Sequence, residues 1–432
     1  MLLYQYEGKL ARNKVKKEGK NMATVLGIIA EYNPFHNGHA YHIEESKKRT
    51  GATHVVAVIT GNFAQRGETS LINKWVKAQM ALQNGVDLVI ELPTIYSISS
   101  AENFAEGAIK ILDSLNIIDY ISFGAETSDF AALNNIVTVL ANEPKEYKAI
   151  LLHELQKGIS YPKARDNALM MYLNDIKRYA NILSGSNNIL AIEYLKAIRK
   201  LKSNITPISI QRNKVYYHEE KIVDEFASST AIRKMLLHEE FSDMRKVMPY
   251  NNYMLLKDEM RKGRVVSDIT VFEKEIIYEL RKMTIEQIKD LPDVSEGLEN
   301  TIKKAANSCN NIETLINSIK TKRFTQTRIQ RILLYALLGI TKKNMLDSKK
   351  VIPYTRVLAV NERGKELLSE ICNRNPKIQI ITSVKKYLEN YHHRILTPML
   401  EKDIYATNIY TLGYQRESLA NEDYTNRMIT LK

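Results

Sequence analysis

The chain predicts an α/β fold, and two observations carry the prediction. Between Val25 and Glu126, short apolar runs at 25–32, 54–60, 87–92 and 120–124 alternate with helical patterns near 38–49, 71–84 and 101–115. Strands buried on both faces need runs that are apolar at nearly every position, and an intervening helix returns each strand parallel to the last. The second observation is that His36, Gly61 and Gly124 stand at or just beyond the ends of three of these runs. In an open parallel sheet a ligand sits outside the carboxyl ends of the strands, so these positions are expected along one edge. The expectation is a Rossmann-like parallel sheet followed by a mainly helical, basic second half.

The first strand, Val25–Tyr32, ends at the turn Asn33-Pro34-Phe35 and runs into His36-Asn37-Gly38-His39. Proline cannot extend a strand ladder, and glycine lets the backbone come close to a ligand, so a helix is expected to open here over a phosphate. His36 and His39, three residues apart, share one side of its first turn. There their N–H groups, the free backbone N–H groups and the positive helix end meet one anion. Charge developing on a phosphorus and its leaving pyrophosphate is stabilised by such a set, so both are candidate catalytic residues. A bare His-x-x-His also arises by chance or as half of a zinc site. Zinc would want further ligands and leaves the strand, Pro34 and Gly38 without a purpose.

Residues 128–200 read mostly as helices, followed by strands at 205–210 and 215–218. Ser228-Ser229-Thr230 then supplies hydroxyls at cap positions of a helix carrying Arg233 one turn in. His42 and His54 are expected to be bystanders, and Trp75 to be core. Arg66, just after Gly61-Asn62, either caps a loop or meets the substrate. Beyond residue 236 the pattern is helical. Its most basic stretch is Lys320-Thr321-Lys322-Arg323-Phe324-Thr325-Gln326-Thr327-Arg328-Ile329-Gln330-Arg331. With Ile329, Ile332, Leu333 and Ala336 on the apolar side, Arg328 and Arg331 fall together on an exposed side. Arginines so placed make fork contacts with phosphate. A strand at 357–360, a helix at 363–372 and a strand at 378–382 suggest a small α/β element within 357–382.

The 432 residues exceed what one core commonly supports, so more than one domain is expected. No run of eighteen apolar residues occurs, so no transmembrane helix is expected. The two cysteines, Cys309 and Cys372, are far apart and form no CxxC, which fits a reducing cytoplasm. The net charge of +13 is uneven. Lys and Arg outnumber Asp and Glu six to two over residues 1–21, 23 to 22 over 22–235, and 33 to 25 over 236–432. A basic second half beside a nearly neutral first half fits a polyanion held by one part while the other performs chemistry. Residues 1–21 are basic without an apolar core, so they are expected to be a disordered extension or a mis-assigned start. A chain beginning at Met22 is expected to fold and keep its activity.

Glu31-Tyr32-Asn33-Pro34-Phe35-His36-Asn37-Gly38-His39 resembles the ATP-binding signature of bacterial tRNA(Met) cytidine acetate ligases, which belong to a nucleotidyltransferase superfamily carrying His-x-Gly-His. The resemblance continues through Gly61–Gly67, Glu91-Leu92-Pro93, Ser122–Glu126, Ser186–Leu190, Ser228–Arg233, Arg323–Arg328 and Tyr354–Leu358, with Ala191 in place of a family glycine. It implies a catalytic domain over 22–235 and a tRNA-binding domain over 236–432. It further implies that acetate is activated with ATP, then passed to the wobble cytidine of elongator tRNA(Met) as N4-acetylcytidine. The ATP-binding residues it implies are Ile28, Ile29, Ala30, Glu31, Tyr32, Asn33, Pro34, Phe35, His36, Asn37, Gly38, His39, Ala40 and Tyr41, then Gly124, Asn187, Asn188, Arg212, Ser229, Thr230 and Arg233. Lys320, Lys322, Arg323, Arg328 and Arg331 are expected to bind tRNA. ATP is the co-substrate, with Mg²⁺ allowed for as its companion; no protein metal site, membrane or protein partner is expected. A small-molecule nucleotidyltransferase would leave the basic half unexplained. A non-catalytic nucleotide-sensing RNA binder would not need both histidines.

Overall fold

The computed structural model describes residues 23–211, 226–295, 297–417 and 419–431. Residues 1–21, Arg212 and the strand expected at 215–218 lie outside the described residues. The elements that position the site begin with β1 (Val25–Ala30), α1 (Asn37–Thr50), β2 (His54–Thr60) and a hairpin of β3 (Phe63–Ala64) and β4 (Glu68–Thr69). They continue through α2 (Lys74–Leu82), β5 (Leu88–Leu92), α3 (Ala101–Ser114), β6 (Tyr120–Ala125), α4 (Ser186–Leu201), β7 (Thr206–Gln211) and α5 (Ser229–Leu237). The later part supplies α6 (Gln326–Leu338), β8 (Thr355–Val360), α7 (Glu362–Arg374), β9 (Ile380–Ile381), α8 (Leu396–Tyr410) and β10 (Ile429–Thr430).

One main sheet runs β10-β8-β5-β2-β1-β6-β7, with β9 paired to β8. Its pairs are parallel except β5 with β8, which is antiparallel. β2 shows why the alternation was legible: from Val55 to Thr60 every residue is buried, because helices cover both faces. On one face α3 and α4 pack through residues such as Phe104, Leu112 and Tyr194. On the other, Ile43, Trp75, Ala78 and Ile232 pack against Leu26, Val55 and Ala57. Trp75 is core, as its apolar neighbours suggested.

The main sheet crosses the boundary expected at residue 235. The strand, helix and strand anticipated within 357–382 exist as β8, α7 and β9, but they are no separate element. β8 pairs antiparallel with β5 and is buried at all six positions, and β10 pairs parallel with β8. The chain after 235 therefore contributes three strands, β8, β9 and β10, to the sheet of the first half. Strand pairing across more than 260 residues leaves no local trace in either segment.

The joint is charged as well as apolar. Lys74 bonds Glu91 at 2.9 Å and Asp423 at 2.8 Å, and Arg356 reaches Glu91 at 3.1 Å and also pairs with Asp423. All four side chains are buried. Gly61, expected on the ligand edge, belongs here: a Cβ on it would meet the Glu91 carboxylate at 2.6 Å.

Candidate active site

The turn after β1 is built to hold two imidazoles. His36 is the N-cap of α1: its Nδ1 accepts the Gly38 N–H at 3.1 Å, while the His36 N–H is donated to His39 Nδ1 at 3.2 Å. The two rings stack with centroids 3.7 Å apart. Since each Nδ1 accepts a backbone N–H, each neutral ring carries its proton on Nε2. Three-residue spacing thus produces a reciprocal cap that presets both donors. Tyr32, in a left-handed conformation with φ 48°, lies edge-on to His39 at 4.9 Å.

These residues stand in a cleft of about 650 Å³ at the carboxyl ends of the strands. Two helix N-termini open into it, α1 behind His36 and α5 behind Ser228, whose Oγ caps the Ala231 N–H at 3.1 Å. Ser229 Oγ approaches the Pro34 carbonyl at 3.5 Å, which draws the two ends together. Arg233 is turned onto Glu68 of the hairpin at 2.7 Å. Paired helix ends, two histidines and an arginine suit a polyphosphate.

Most of the expected nucleotide residues line this cleft: Ile28, Ile29, Ala30, Glu31, Tyr32, Asn33, His36, Gly38, His39 and Tyr41 from the first turn, then Gly124, Asn187, Ser229, Thr230 and Arg233. Five others stand behind the wall, and each has a local reason. Phe35 is fully buried against Tyr32. Pro34 turns the chain, Asn37 bonds the Lys246 carbonyl at 3.0 Å, and Ala40 packs against the core under α1. Asn188 is also behind the wall, its Oδ1 accepting the Glu126 and Thr127 N–H groups at 2.9 and 3.2 Å. Even within the lining, Asn33 spends its amide on Leu71 N and Thr69 O, and Asn187 bonds Glu126 at 2.7 Å. These asparagines shape the site through backbone and carboxylate contacts.

The sequence missed several wall residues. His42, expected to be a bystander, lines the cleft and bonds Ser122 Oγ at 2.9 Å. Gln65 and Glu68 enter on the β3–β4 hairpin, which no periodicity announced, together with Arg66, for which contact with the substrate was one of the two expectations. Glu31 Oε1 accepts the Gln65 N–H at 2.9 Å. Burial raises the Glu31 carboxyl above its ordinary value against that bond, with Glu68 adding to the rise and Arg66 and Lys77 opposing it.

Of the residues expected to bind tRNA, Lys320, Lys322 and Arg323 are exposed, but Arg328 and Arg331 do not share an exposed side. Arg328 donates to the Asp293 carbonyl at 2.9 and 2.6 Å and lies over the Phe324 ring. Arg331 bonds the Asp293 carboxylate at 2.9 Å, and with Thr327 it forms part of the cleft wall. The loop at Asp293 covers this side of α6, a tertiary event that helical spacing cannot register. Gly67, with φ 76°, seats the hairpin on α6: a Cβ there would lie 2.6 Å from the Arg331 backbone N.

The family model described as HIGH Nucleotidyl Transferase matches residues 22–425. A tRNA(Met) cytidine acetate ligase of Thermoanaerobacter sp. (strain X514) is 44% identical over 409 residues, covering 94% of this chain and 100% of the relative. One from Acetivibrio thermocellus is 43% identical, covering 94% and 100%. Among solved structures, Thermotoga maritima TmcAL bound with alpha-thio ATP is similar with a TM-score of 0.87 and 31% identity, covering 94% of this chain and 99% of that one. Its apo form matches with a TM-score of 0.90. The chain belongs to the tRNA(Met) cytidine acetate ligase family of HIGH nucleotidyl transferases.

Proposed function

We propose that this protein activates acetate with ATP to acetyl-adenylate, releasing pyrophosphate, and then acetylates the wobble cytidine of elongator tRNA(Met) to N4-acetylcytidine. The observation that carries the reading is the preset His36–His39 pair between two helix N-termini, in a cleft to whose wall α6 of the basic half contributes Thr327 and Arg331. In the first step an acetate oxygen bonds the α-phosphorus while the bond to the β-phosphate oxygen breaks, and pyrophosphate leaves with the electron pair. His36 and His39 offer Nε2–H donors to that developing charge, and the α5 end with Arg233 takes the outgoing phosphates. No protein nucleophile is needed. In the second step the cytidine N4 bonds the acetyl carbon, AMP leaves, and the amine loses a proton.

Mg²⁺ is carried in this reading as the companion of the triphosphate, which needs one or two carboxylates rather than a protein cage. Glu31 and Glu68 are carboxylates lining the same cleft, Glu68 already paired with Arg233. Lys320, Lys322 and Arg323 are assigned to tRNA phosphate, and Arg331 to the interior of the site. The reading places the enzyme in the cytoplasm, where free Cys309 and Cys372 remain reduced. Among the described residues no helix is long and apolar enough to cross a membrane.

Exchange of labelled pyrophosphate into ATP tests the first step. Exchange that requires acetate supports the reading. Exchange without any acid, or none with acetate, overturns it.

A further inference from the structure

Resting on that reading, we propose that Arg66 is the residue that binds the carboxylate of acetate and presents it to the α-phosphorus. The cleft has two arms, one on either side of β1. From β1 the chain passes to β2 on one side and returns through β6 on the other, so the topological switch point, where a nucleotide sits, lies between β1 and β6. Gly124 and Ile210 line that arm. The arm on the β2 side is left for the second substrate. Its wall is the hairpin with Arg66 and Glu68, together with Arg331 of α6.

Among the described residues, three arginines line the cleft, and two of these are engaged. Arg233 is held by Glu68 at 2.7 Å and Arg331 by Asp293 at 2.9 Å. Arg66 is exposed to the cleft, and among the described residues its guanidinium has no hydrogen bond or ion pair. It stands within electrostatic reach of Glu31, beside Glu68 two residues on. An acetate entering between those carboxylates meets repulsion unless a cation offsets it, and Arg66 is that cation. A guanidinium giving one N–H to each carboxylate oxygen leaves each oxygen a lone pair for attack on phosphorus. The backbone on either side of Arg66 is fixed: Gln65 N–H is bonded to Glu31, and Gly67 is seated against the α6 backbone.

Arg66→Ala and Arg66→Lys, made in the full chain, test the assignment by acetate-dependent pyrophosphate exchange and by direct tRNA binding. Loss of a charged hydrogen-bond pair is expected to raise the acetate KM of Arg66→Ala about ten- to a hundredfold. Arg66→Lys, a point charge without the fork, should fall between it and the wild type. The ATP KM and tRNA affinity should move far less than the acetate KM. An unchanged acetate KM, or a loss confined to tRNA affinity, overturns the proposal and in the second case makes Arg66 an RNA-phosphate contact. Wild-type protein lacking acetate-dependent exchange would instead defeat the functional reading itself, so the two failures are distinct.

Discussion

His39 is bound by its neighbours before any ligand arrives. Its Nδ1 accepts the His36 N–H, its ring stacks on His36, and Tyr32 flanks it edge-on. His39→Ala is therefore expected to act twice. Losing one preorganised donor should lower acetate-dependent exchange by about a hundredfold or more. Losing half of the capping box should cost about 1 kcal/mol of stability, read as a lower melting temperature. Chemically made acetyl-adenylate should restore tRNA acetylation by the variant, since only the second step remains. A folded variant that binds ATP and tRNA but cannot be rescued would place His39 in acyl transfer. His39 was legible because strand, turn, glycine and both rings lie within fifteen consecutive residues. His42 was not, because its role depends on Ser122 arriving from another strand.

At the scale of elements, the carboxyl ends of β1 and β2 are held by one buried cation. Lys77 Nζ on α2 lies within hydrogen-bond distance of the carbonyls of Glu31, Thr60 and Gly61, at 3.1, 2.8 and 2.7 Å, and of the hydroxyls of Thr60 and Ser70, at 3.1 and 2.9 Å, which share its three N–H groups. Burial pushes its ammonium down to about 7, against the pull of Glu31 and Glu91. Lys77→Met keeps the length and removes the donors, leaving buried strand-end carbonyls without partners. We expect a loss of about 3 kcal/mol or more in denaturant titration. A change below about 1 kcal/mol would mean that these strand ends are held by the ladder alone. Sequence patterning found α2 and both strands but not this role, since a lysine on a helix reads as a solvated face. The hairpin escaped for a related reason: two-residue strands are too short for a period of two to show.

Across the whole molecule, the first and second halves form one sheet and one charge network, so thermal unfolding is expected as a single transition. The network also sets a pH dependence. Asp403 on α8 accepts the Thr94 N–H at 2.7 Å and the Tyr354 hydroxyl. Burial first, and then Glu91, raise its carboxyl from 3.8 to about 7. The folded state thus holds the proton more tightly than the unfolded chain, so its stabilising effect is full below about 3.8 and is lost as pH rises to about 7. Asp403→Asn keeps an acceptor for Thr94 and cannot ionise. Its melting temperature should gain on the wild type between about pH 5 and about pH 8, and parallel curves would contradict the assignment. The parallel sheet, the helices around it and the histidine cleft could be read from sequence because each is local. The return of β8 and the turning of Arg331 into the cleft could not, because they are decided by where distant segments meet.

The central claim is that one cleft couples ATP cleavage to acetylation of a tRNA base. It is tested most directly by incubating the protein with ATP, isotopically labelled acetate and tRNA(Met), then digesting the tRNA for nucleoside mass spectrometry. The account predicts label in N4-acetylcytidine at the wobble position, one AMP released per acetyl group, and no label when ATP is omitted. Label that stays as acetyl-adenylate with none on the cytidine, or ATP cleavage that ignores acetate, would contradict it.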